Sequence, residues 1–269
     1  IAGHFLEEDG ESLLKCLNNG IQHSTIFIEY VRLLEITGRP LYRDFLHLIL
    51  RRWRESSIRL TDIADPKVST MFELGCHKGI EVLICYQGIA EMYRHTGDTW
   101  YLRACENYWT FLESKQIGLT GNGSIGEIWN PAAEGFRHIS TDFRPNENCV
   151  AVGWMMFSAL LHSLTGERKY FDAIERTLYN HLLGAQAMDG RDFSYYQGTY
   201  GCKLHEKKQG QYSCCRFRGM RILAKLPRYA VMRTRRGLRV NLYSPLRLRT
   251  DLNGTSVELV QETDHPATG

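Results

Sequence analysis

The fold is decided by a stretch that runs from Ala159 to Asn180, "ALLHSLTGERKYFDAIERTLYN". Its first half carries apolar side chains at helical spacing, then Thr-Gly, and a tyrosine follows five positions after the threonine. A glycine in the left-handed conformation ends a helix, and Tyr170 then begins the apolar face of a returning helix. The stretch therefore predicts a hairpin of two antiparallel helices.

The same pattern occurs twice more, in "LLEITGRPLYRDFLHLIL" from Leu33 and in "AEMYRHTGDTWYLRACENYW" from Ala90. The Thr/Tyr pairs of the three copies are Thr37/Tyr42, Thr96/Tyr101 and Thr165/Tyr170. The threonines lie 59 and 69 residues apart, whereas a tetratricopeptide-like solenoid repeats at about 34 residues. The longer period favours a closed toroid of alternating inner and outer helices over a general helical bundle.

The chain is expected to be mainly α. Helices are predicted near 24–37, 40–54, 79–95, 98–114, 147–164, 167–187 and 216–226. After Pro227 the pattern changes to alternating strand residues, in "YAVMRTRRGLRVNLYSPLRLRT" from Tyr229 and "SVELVQET" from Ser256. We therefore expect a helical toroid domain over 1–228, incomplete at its N-terminus, and the truncated start of a β-sandwich domain over 229–269.

Composition limits the class of partner. The chain has 269 residues, 43% hydrophobic and 23% charged, which is typical of a soluble globular protein. A net charge of +3 without a long Lys/Arg run argues against a nucleic-acid partner. We recognise no apolar run of about 18 residues that would span a membrane, so no membrane partner is expected.

The cellular location is predicted less directly. The chain starts "IAGHFLEEDG", without Met and without a signal peptide. Thiols that must stay reduced favour the cytoplasm. A periplasmic or secreted protein stays open as an alternative, because we expect the true N-terminus to be missing.

Two adjacent cysteines, Cys214 and Cys215, require a chemical explanation. In "NENCVAV", Glu147 and Cys149 stand at the start of a predicted helix, and the cysteine pair begins another. One carboxylate and three thiolates form a four-ligand set that is acceptable to Zn²⁺, and helix N-termini favour thiolates. From the residues alone, buried free thiols or a strained vicinal disulfide remain alternatives. Cys202 is extra to this set and is interpreted as structural or incidental.

A Glu-x-Cys helix start, the stretch "TGERKYFDAIERTLYNHLLGAQAMDGRDFSYY", a Cys-Cys pair and "YAVMRTRRGLRVNLYSP" follow one another. In this combination the chain resembles glycoside hydrolase family 127 and its relative, family 146, whose best-known members are β-L-arabinofuranosidases. The resemblance runs from about Thr25 to "VELVQETDHP" near the end. It implies an (α/α)6 toroid followed by β-sandwich domains.

The resemblance also implies a set of site residues. The implied Zn²⁺ ligands are Glu147, Cys149, Cys214 and Cys215. Cys214 would be the nucleophile of a retaining mechanism and would form a thioglycosyl intermediate. A glutamate in "TGNGSIGEIWNPAAEGF" would be the acid/base, and Glu127 is preferred over Glu134 because it follows Gly-Ser as the family's residue does.

Further residues are candidates for contact with a sugar. His77, in "FELGCHKGIE", stands where some relatives have a substrate-contacting histidine, and His205 precedes the cysteine pair. Each of them is otherwise an ordinary core or surface histidine. Trp129, Tyr195 and Tyr196 are candidates for stacking on a sugar face, although aromatic side chains more often belong to the core.

Two arginines separate this chain from the best-known relatives. Arg216 and Arg218 follow the cysteine pair, where relatives often have Pro or Ala and Asn. Arginine binds carboxylates in a bidentate manner, so an acidic deoxy-sugar of pectin is a second substrate hypothesis. Two arginines on the exterior of a helix are the alternative.

We therefore expect a retaining glycosidase that acts on β-L-arabinofuranosides or a related pectic sugar, with a glycoside or oligosaccharide as its partner. The oligomeric state is open, with a homodimer among the options. The alternative is a non-catalytic toroid with a structural zinc site that binds carbohydrate or serves as a scaffold. A third hypothesis is a toroid enzyme of another class, a polysaccharide lyase or an epimerase.

Overall fold

The computed structural model of the protein describes residues 1–15, 20–131, 145–198, 203–204, 213–265 and 267. The α-helices are α1 (Ala2–Glu7), α2 (Ile21–Ser24), α3 (Phe27–Thr37), α4 (Pro40–Glu55), α5 (Gly79–Thr96), α6 (Thr99–Lys115), α7 (Asn148–Thr165), α8 (Arg168–Thr177), α9 (Leu183–Ala185) and α10 (Cys214–Ala230). The strands are β1 (Tyr196–Gln197), β2 (Lys203–Leu204), β3 (Val231–Thr234), β4 (Gly237–Val240), β5 (Leu246–Leu252) and β6 (Thr255–Gln261). Two compact units, Ile1–Gly219 and Met220–Gly269, divide the chain.

The three Thr-Gly motifs form the same turn between α3 and α4, α5 and α6, and α7 and α8. In each turn the glycine has a positive φ, 64° at Gly38, 74° at Gly97 and 76° at Gly166. The threonine donates to the carbonyl four residues earlier and accepts the amide two residues later, as Thr96 does at 2.7 and 3.2 Å. These bonds satisfy carbonyl and amide groups that a helix end leaves without partners. The predicted helix hairpins are confirmed.

Helices α5 and α7 form the centre of the first unit. Helix α5 packs against α3, α6 and α7, and α7 packs against α8. Aromatic pairs fill the layers between them, with Tyr86 stacked on Tyr108 at 3.8 Å and Trp109 on Trp154 at 5.1 Å. Helix α7 is long and apolar enough to cross a membrane, a feature that the sequence analysis missed, but 72% of it is buried. Such burial is typical of the core helix of a soluble protein.

Some helix boundaries differ from the sequence predictions. The single helix predicted over 167–187 is interrupted, because α8 ends at Thr177 and a π-helical turn, Leu178–Leu182, precedes α9. Helix α10 begins at Cys214 and continues past Pro227 to Ala230, where the sequence predicted an end. Local composition does not reveal a π-turn, because the wider turn depends on what packs against it.

The second unit contains two antiparallel hairpins. Strand β3 pairs with β4, and β5 pairs with β6 over seven residue pairs from Leu246↔Gln261 to Leu252↔Thr255. Side chains of β5 alternate between half-buried and exposed positions, as the period of two predicted. The strands are confirmed, while the β-sandwich and the boundary after residue 228 stay predictions.

The turn geometry predicts the effect of a single methyl group. We expect Gly97→Ala to lower the free energy of unfolding by about 1 kcal/mol, because a Cβ is strained in the left-handed conformation. No atom lies within 4 Å of the added Cβ, so strain is the only contribution. Gly3→Ala in α1 is the control, because it also meets no atom but has an ordinary φ. Urea denaturation measures both variants, and equal losses would contradict this account.

Candidate active site and metal centre

The N-termini of two helices meet at the candidate site. Glu147 is the N-terminal cap residue of α7 and Cys149 lies in its first turn, while Cys214 and Cys215 open α10. Nδ2 of Asn148 donates to the carbonyl of Cys215 at 3.2 Å and ties the two helix ends together. Because a helix N-terminus carries partial positive charge, this arrangement favours anionic side chains.

Four ligand atoms come together as the Glu-x-Cys and Cys-Cys motifs predicted. One carboxylate oxygen of Glu147 and the sulfurs of Cys149, Cys214 and Cys215 all lie within 4.8 Å of one another. The Sγ of Cys149 is 3.4 Å from that of Cys214 and 3.2 Å from that of Cys215, which is 3.7 Å from Oε1 of Glu147. Around a tetrahedral zinc ion, neighbouring ligand atoms lie about 3.5–3.8 Å apart, from Zn–S near 2.3 Å and Zn–O near 2.0 Å. The cluster could hold a metal ion.

The surroundings of Glu147 test whether these residues fit a cation. Its side chain is buried, and Oε2 has no hydrogen-bond partner in the part of the chain that the structure describes. Burial, followed by the negative charges of Glu127 and Cys214, raises the pKa of Glu147 to about 8. An unpartnered buried carboxylate is costly, and a cation among four acidic groups would remove that cost. The donor set therefore fits a metal.

The three thiols are not equivalent. Cys149 and Cys215 are buried, whereas Cys214 is exposed. Hydrogen bonds from Cys149 and Cys215 hold the pKa of Cys214 far below its usual range, to about 2, and they raise the pKa of Cys149. For Cys215, the bond with Cys149 lowers the pKa, but the bond to Cys214 and burial outweigh it and raise the pKa overall. The thiol with the lowered pKa is therefore the one that solvent can reach.

Glu127 lies beside this cluster in a strained loop. Its φ is +70°, and its carbonyl accepts the amide of Gly79 at 2.9 Å, which holds the loop against the start of α5. Oε1 accepts the hydroxyls of Tyr195 at 2.5 Å and Tyr196 at 3.0 Å, and Oε2 accepts from Lys78. Burial raises the pKa of Glu127, but these three donors outweigh it and hold the pKa below its usual range.

Tyr195 connects the two candidate catalytic groups. Besides its bond to Glu127, the hydroxyl of Tyr195 helps to lower the pKa of the Cys214 thiol. Tyr196 and Trp129 are buried. An exposed ring face is needed to stack on a sugar, so burial leaves Tyr195 as the better candidate among the three aromatics.

The other predicted residues take different places. Nε2 of His77 is 3.2 Å from the carbonyl of Phe72, whose ring it meets edge-on, and substrate contact by His77 stays a prediction. His205, Glu134 and Cys202 lie outside the described residues.

The two arginines beside the cysteine pair differ in their surroundings. Arg216 forms a bidentate ion pair with Asp192, with distances of 2.7 and 2.5 Å. Arg218 is half-buried, and its charge helps to lower the pKa of Cys214. The second arginine is therefore the one that stands near the candidate nucleophile.

Four residues of the site were missed by sequence reasoning: Lys78, Asn122, Ser124 and His181. Lys78 meets a carboxylate 49 positions away, and Asn122 meets an imidazole 59 positions away. Only the stretch "TGNGS" offered a signal, since glycines on both sides of an asparagine indicate a tight loop, but it did not identify the partners.

Comparison with known proteins comes from family, sequence and structure. The family model described as the GH127 catalytic domain of beta-L-arabinofuranosidases matches residues 7–228. The non-reducing end beta-L-arabinofuranosidase of Bifidobacterium longum subsp. longum is 24% identical over 111 residues, which cover 40% of this chain and 16% of that protein.

Two solved structures share the fold. A GH127 beta-arabinofuranosidase is 24% identical with a TM-score of 0.69, and the match covers 93% of this chain and 39% of that chain. A GH127 beta-L-arabinofuranosidase from Geobacillus stearothermophilus T6 is 19% identical with a TM-score of 0.65, covering 98% of this chain and 49% of that one.

The chain thus spans less than half the length of each of these relatives. The structural matches confirm the mainly helical, toroid-type fold class with strands toward the C-terminus. Because the family model matches most of the chain, from residue 7 through to residue 228, this protein belongs to the GH127 beta-L-arabinofuranosidase catalytic-domain family.

Proposed function

We propose that the chain is the catalytic part of a retaining glycoside hydrolase that acts on β-L-arabinofuranosides or a related pectic sugar. The observation that carries the proposal is an exposed Cys214 thiol whose pKa is lowered by Tyr195 among other groups, while the hydroxyl of the same tyrosine bonds the carboxylate of Glu127 at 2.5 Å. A nucleophile and an acid/base placed side by side are what the retaining reaction requires. The family and the names of the relatives supply the substrate class.

We propose Zn²⁺ as the bound metal. Three sulfurs and one carboxylate oxygen in a small buried cluster are a donor set that suits zinc. When bound, zinc would keep the thiols deprotonated at neutral pH. Reduced thiols are required in either case, so we propose a reducing compartment such as the cytoplasm, with a periplasmic or secreted location as the alternative.

The residues of the chain divide the reaction between them. Cys214 Sγ attacks the anomeric carbon while the bond from that carbon to the leaving oxygen breaks. Glu127 gives its proton to the leaving oxygen, which produces a thioglycosyl intermediate and a free alcohol. Glu127 then takes a proton from water, whose oxygen displaces the sulfur and releases the sugar with its original anomeric configuration.

A structural zinc site without catalysis is the alternative function. A structural site needs only four protein ligands and no open coordination position, so it gives no reason for Cys214 to be exposed near Tyr195, which bonds Glu127. A lyase or an epimerase would have no use for three thiols and a glutamate in one cluster. The exposure of Cys214 therefore favours the hydrolase.

Metal content is the first test. We expect about one zinc per purified chain, a loss of zinc and activity in Cys149→Ser, and a loss of turnover with weakened zinc binding in Cys214→Ser. The physical reason is that Cys149 contacts both other sulfurs, whereas Cys214 is also the nucleophile. Elemental analysis measures zinc, and release of a chromogenic alcohol from a β-L-arabinofuranoside measures turnover.

Cys105→Ser is the matched control, because Cys105 is a buried thiol in α6 that bonds the carbonyl of Tyr86 and lies outside the cluster. It should keep both zinc and activity. A chain without zinc whose Cys214 and Cys215 are oxidised to each other would overturn the metal, and normal turnover by Cys214→Ser would overturn the nucleophile.

The pH profile tests the acid/base. The first step needs protonated Glu127, so kcat/KM falls as pH rises through the pKa of that carboxyl. Because the ion pair with Lys78 lowers this pKa, we expect Lys78→Met to move the alkaline limb of kcat/KM to higher pH. Lys169→Met, which removes an exposed lysine paired with Glu167, should leave the limb in place. An alkaline limb that stays in place in Lys78→Met would reject Glu127 as the acid.

Substrate charge provides a further test. Of the two arginines, Arg216 is engaged by Asp192, which leaves Arg218 as the one to meet a carboxylate on the sugar. We therefore expect a neutral β-L-arabinofuranoside to be hydrolysed with a higher kcat/KM than a glycoside that bears a carboxylate. The Arg216→Gln variant should keep the same preference, and a clear preference for the acidic glycoside would reverse our choice of substrate.

A further inference from the structure

We propose that Asn122 and His181 are positioning residues that hold the backbone of Glu147, and thereby its carboxylate, in place for metal binding. The inference rests on the proposed function, because it concerns a ligand of the same metal. It goes beyond that function by assigning a role to two buried residues that lie outside the ligand set.

All the hydrogen-bonding groups of the Asn122 side chain point to specific partners. Nδ2 donates to the carbonyl of Glu147 at 2.8 Å and lies 3.3 Å from Nε2 of His181, while Oδ1 accepts the amide of Gly123 at 2.8 Å. These partners fix the orientation of the amide, because the carbonyl needs a donor and the amide of Gly123 needs an acceptor. The side chain is buried and no reversed orientation satisfies the same contacts.

His181 completes the set as an acceptor. Both hydrogens of Nδ2 in Asn122 are used only if Nε2 of His181 is unprotonated. Full burial lowers the pKa of His181 to about 4, so the imidazole is neutral at pH 7. His181 lies in the π-helical turn Leu178–Leu182, and such turns often mark functional sites.

Two close approaches fix the loop that carries Asn122. Gly121 has a φ of +85°, and a Cβ there would lie 2.3 Å from Oγ1 of Thr177, which donates to the Gly121 carbonyl at 3.0 Å. A Cβ on Gly123 would lie 1.7 Å from the carbonyl oxygen of Gln116. The sequence Gly-Asn-Gly therefore lets the backbone approach closely on both sides of Asn122.

The carboxylate of Glu147 depends on this backbone support. Its Oε2 has no hydrogen-bond partner within the described ranges, and Oε1 is contacted by the thiol of Cys215 at 3.7 Å. In contrast, its amide donates to Oγ of Ser124 at 3.0 Å and its carbonyl accepts from Asn122. The amide and the carbonyl of Glu147 are thus both hydrogen-bonded, whereas its carboxylate makes only a weak contact with a thiol. We infer that the position of the backbone determines where the carboxylate lies. Residues that orient a ligand in this way typically change metal affinity by about 10- to 100-fold.

The experiment measures zinc affinity by chelator competition, with wild type and variants of the full chain. We expect Asn122→Ala to weaken zinc binding by about 10-fold or more. His181→Leu should also weaken it, and His181→Gln should recover part of the loss, because a Gln oxygen can accept the Nδ2 hydrogen. Asn107→Ala removes the same type of bond, from Nδ2 to the carbonyl of Ile63 at 2.8 Å, and should keep wild-type affinity.

A double-mutant cycle separates positioning from general stability. In a Glu147→Ala background the metal is left with three thiolates, and there Asn122→Ala should change zinc affinity by less than about 3-fold. A Co²⁺-loaded Asn122→Ala chain should also show altered thiolate and ligand-field absorption bands. Thermal unfolding of the metal-free variants identifies any that fail to fold, in which case the His181→Leu and His181→Gln pair carries the test.

The outcomes distinguish this inference from the proposed function. A wild-type chain that binds no zinc would overturn both. Zinc binding by wild type with unchanged affinity in Asn122→Ala, or an equal loss with and without Glu147, would overturn the positioning role alone. A loss that appears only when Glu147 is present supports it.

Discussion

The structure depends on one electrostatic constraint, which is that a carboxylate and three thiols share a space less than 5 Å across at the start of two helices. Without a cation, the chain itself must suppress the charges. Burial raises the pKa of Glu147 to about 8, and among the thiols the hydrogen bonds lower the pKa of Cys214 and raise that of Cys149. A divalent cation bound by Glu147, Cys149, Cys214 and Cys215 would stabilise all four ligands in their anionic forms together. The helix N-termini contribute to the same end, since their partial positive charges face the cluster.

The helical scaffold explains why these groups converge. Lys78 caps α5, Glu147 caps α7 and Cys214 opens α10, so these three groups stand at helix N-termini, while Glu127 lies in a loop. The Thr-Gly turns lie at the opposite ends of α5 and α7, where they reverse the chain with few residues. Short turns at one end leave the long connections at the other. The candidate site therefore lies at the end where the loops are long, and the packing of α5 against α7 supports the ends of these loops.

Sequence patterns predicted the parts of the molecule that local interactions determine. The hairpins followed from the Thr-Gly motif because its hydrogen bonds close within six residues, and the strands followed from alternation along β5. The cluster of Glu147, Cys149, Cys214 and Cys215 was predicted because Glu-x-Cys and Cys-Cys are rare motifs and because their combination resembles a known family. The pair Asn122 and His181 left no such trace, since their contact joins residues 59 positions apart through a π-turn. Contacts set by tertiary packing are outside the reach of a local pattern.

In the proposed reaction, Glu127 must both hold and release a proton. The contacts of its two carboxylate oxygens indicate which of them carries that proton. Oε1 already accepts the hydroxyls of Tyr195 and Tyr196, which a protonated oxygen at that place would disturb. Oε2 meets only Lys78 among the described side chains. A leaving oxygen of the sugar would therefore approach Oε2 and displace the ammonium group.

Displacement of Lys78 would remove the charge that lowers the pKa of Glu127. Substrate entry itself would therefore shift the carboxyl toward the acid form that the first step requires. Departure of the alcohol would let Lys78 return and restore the carboxylate that activates water.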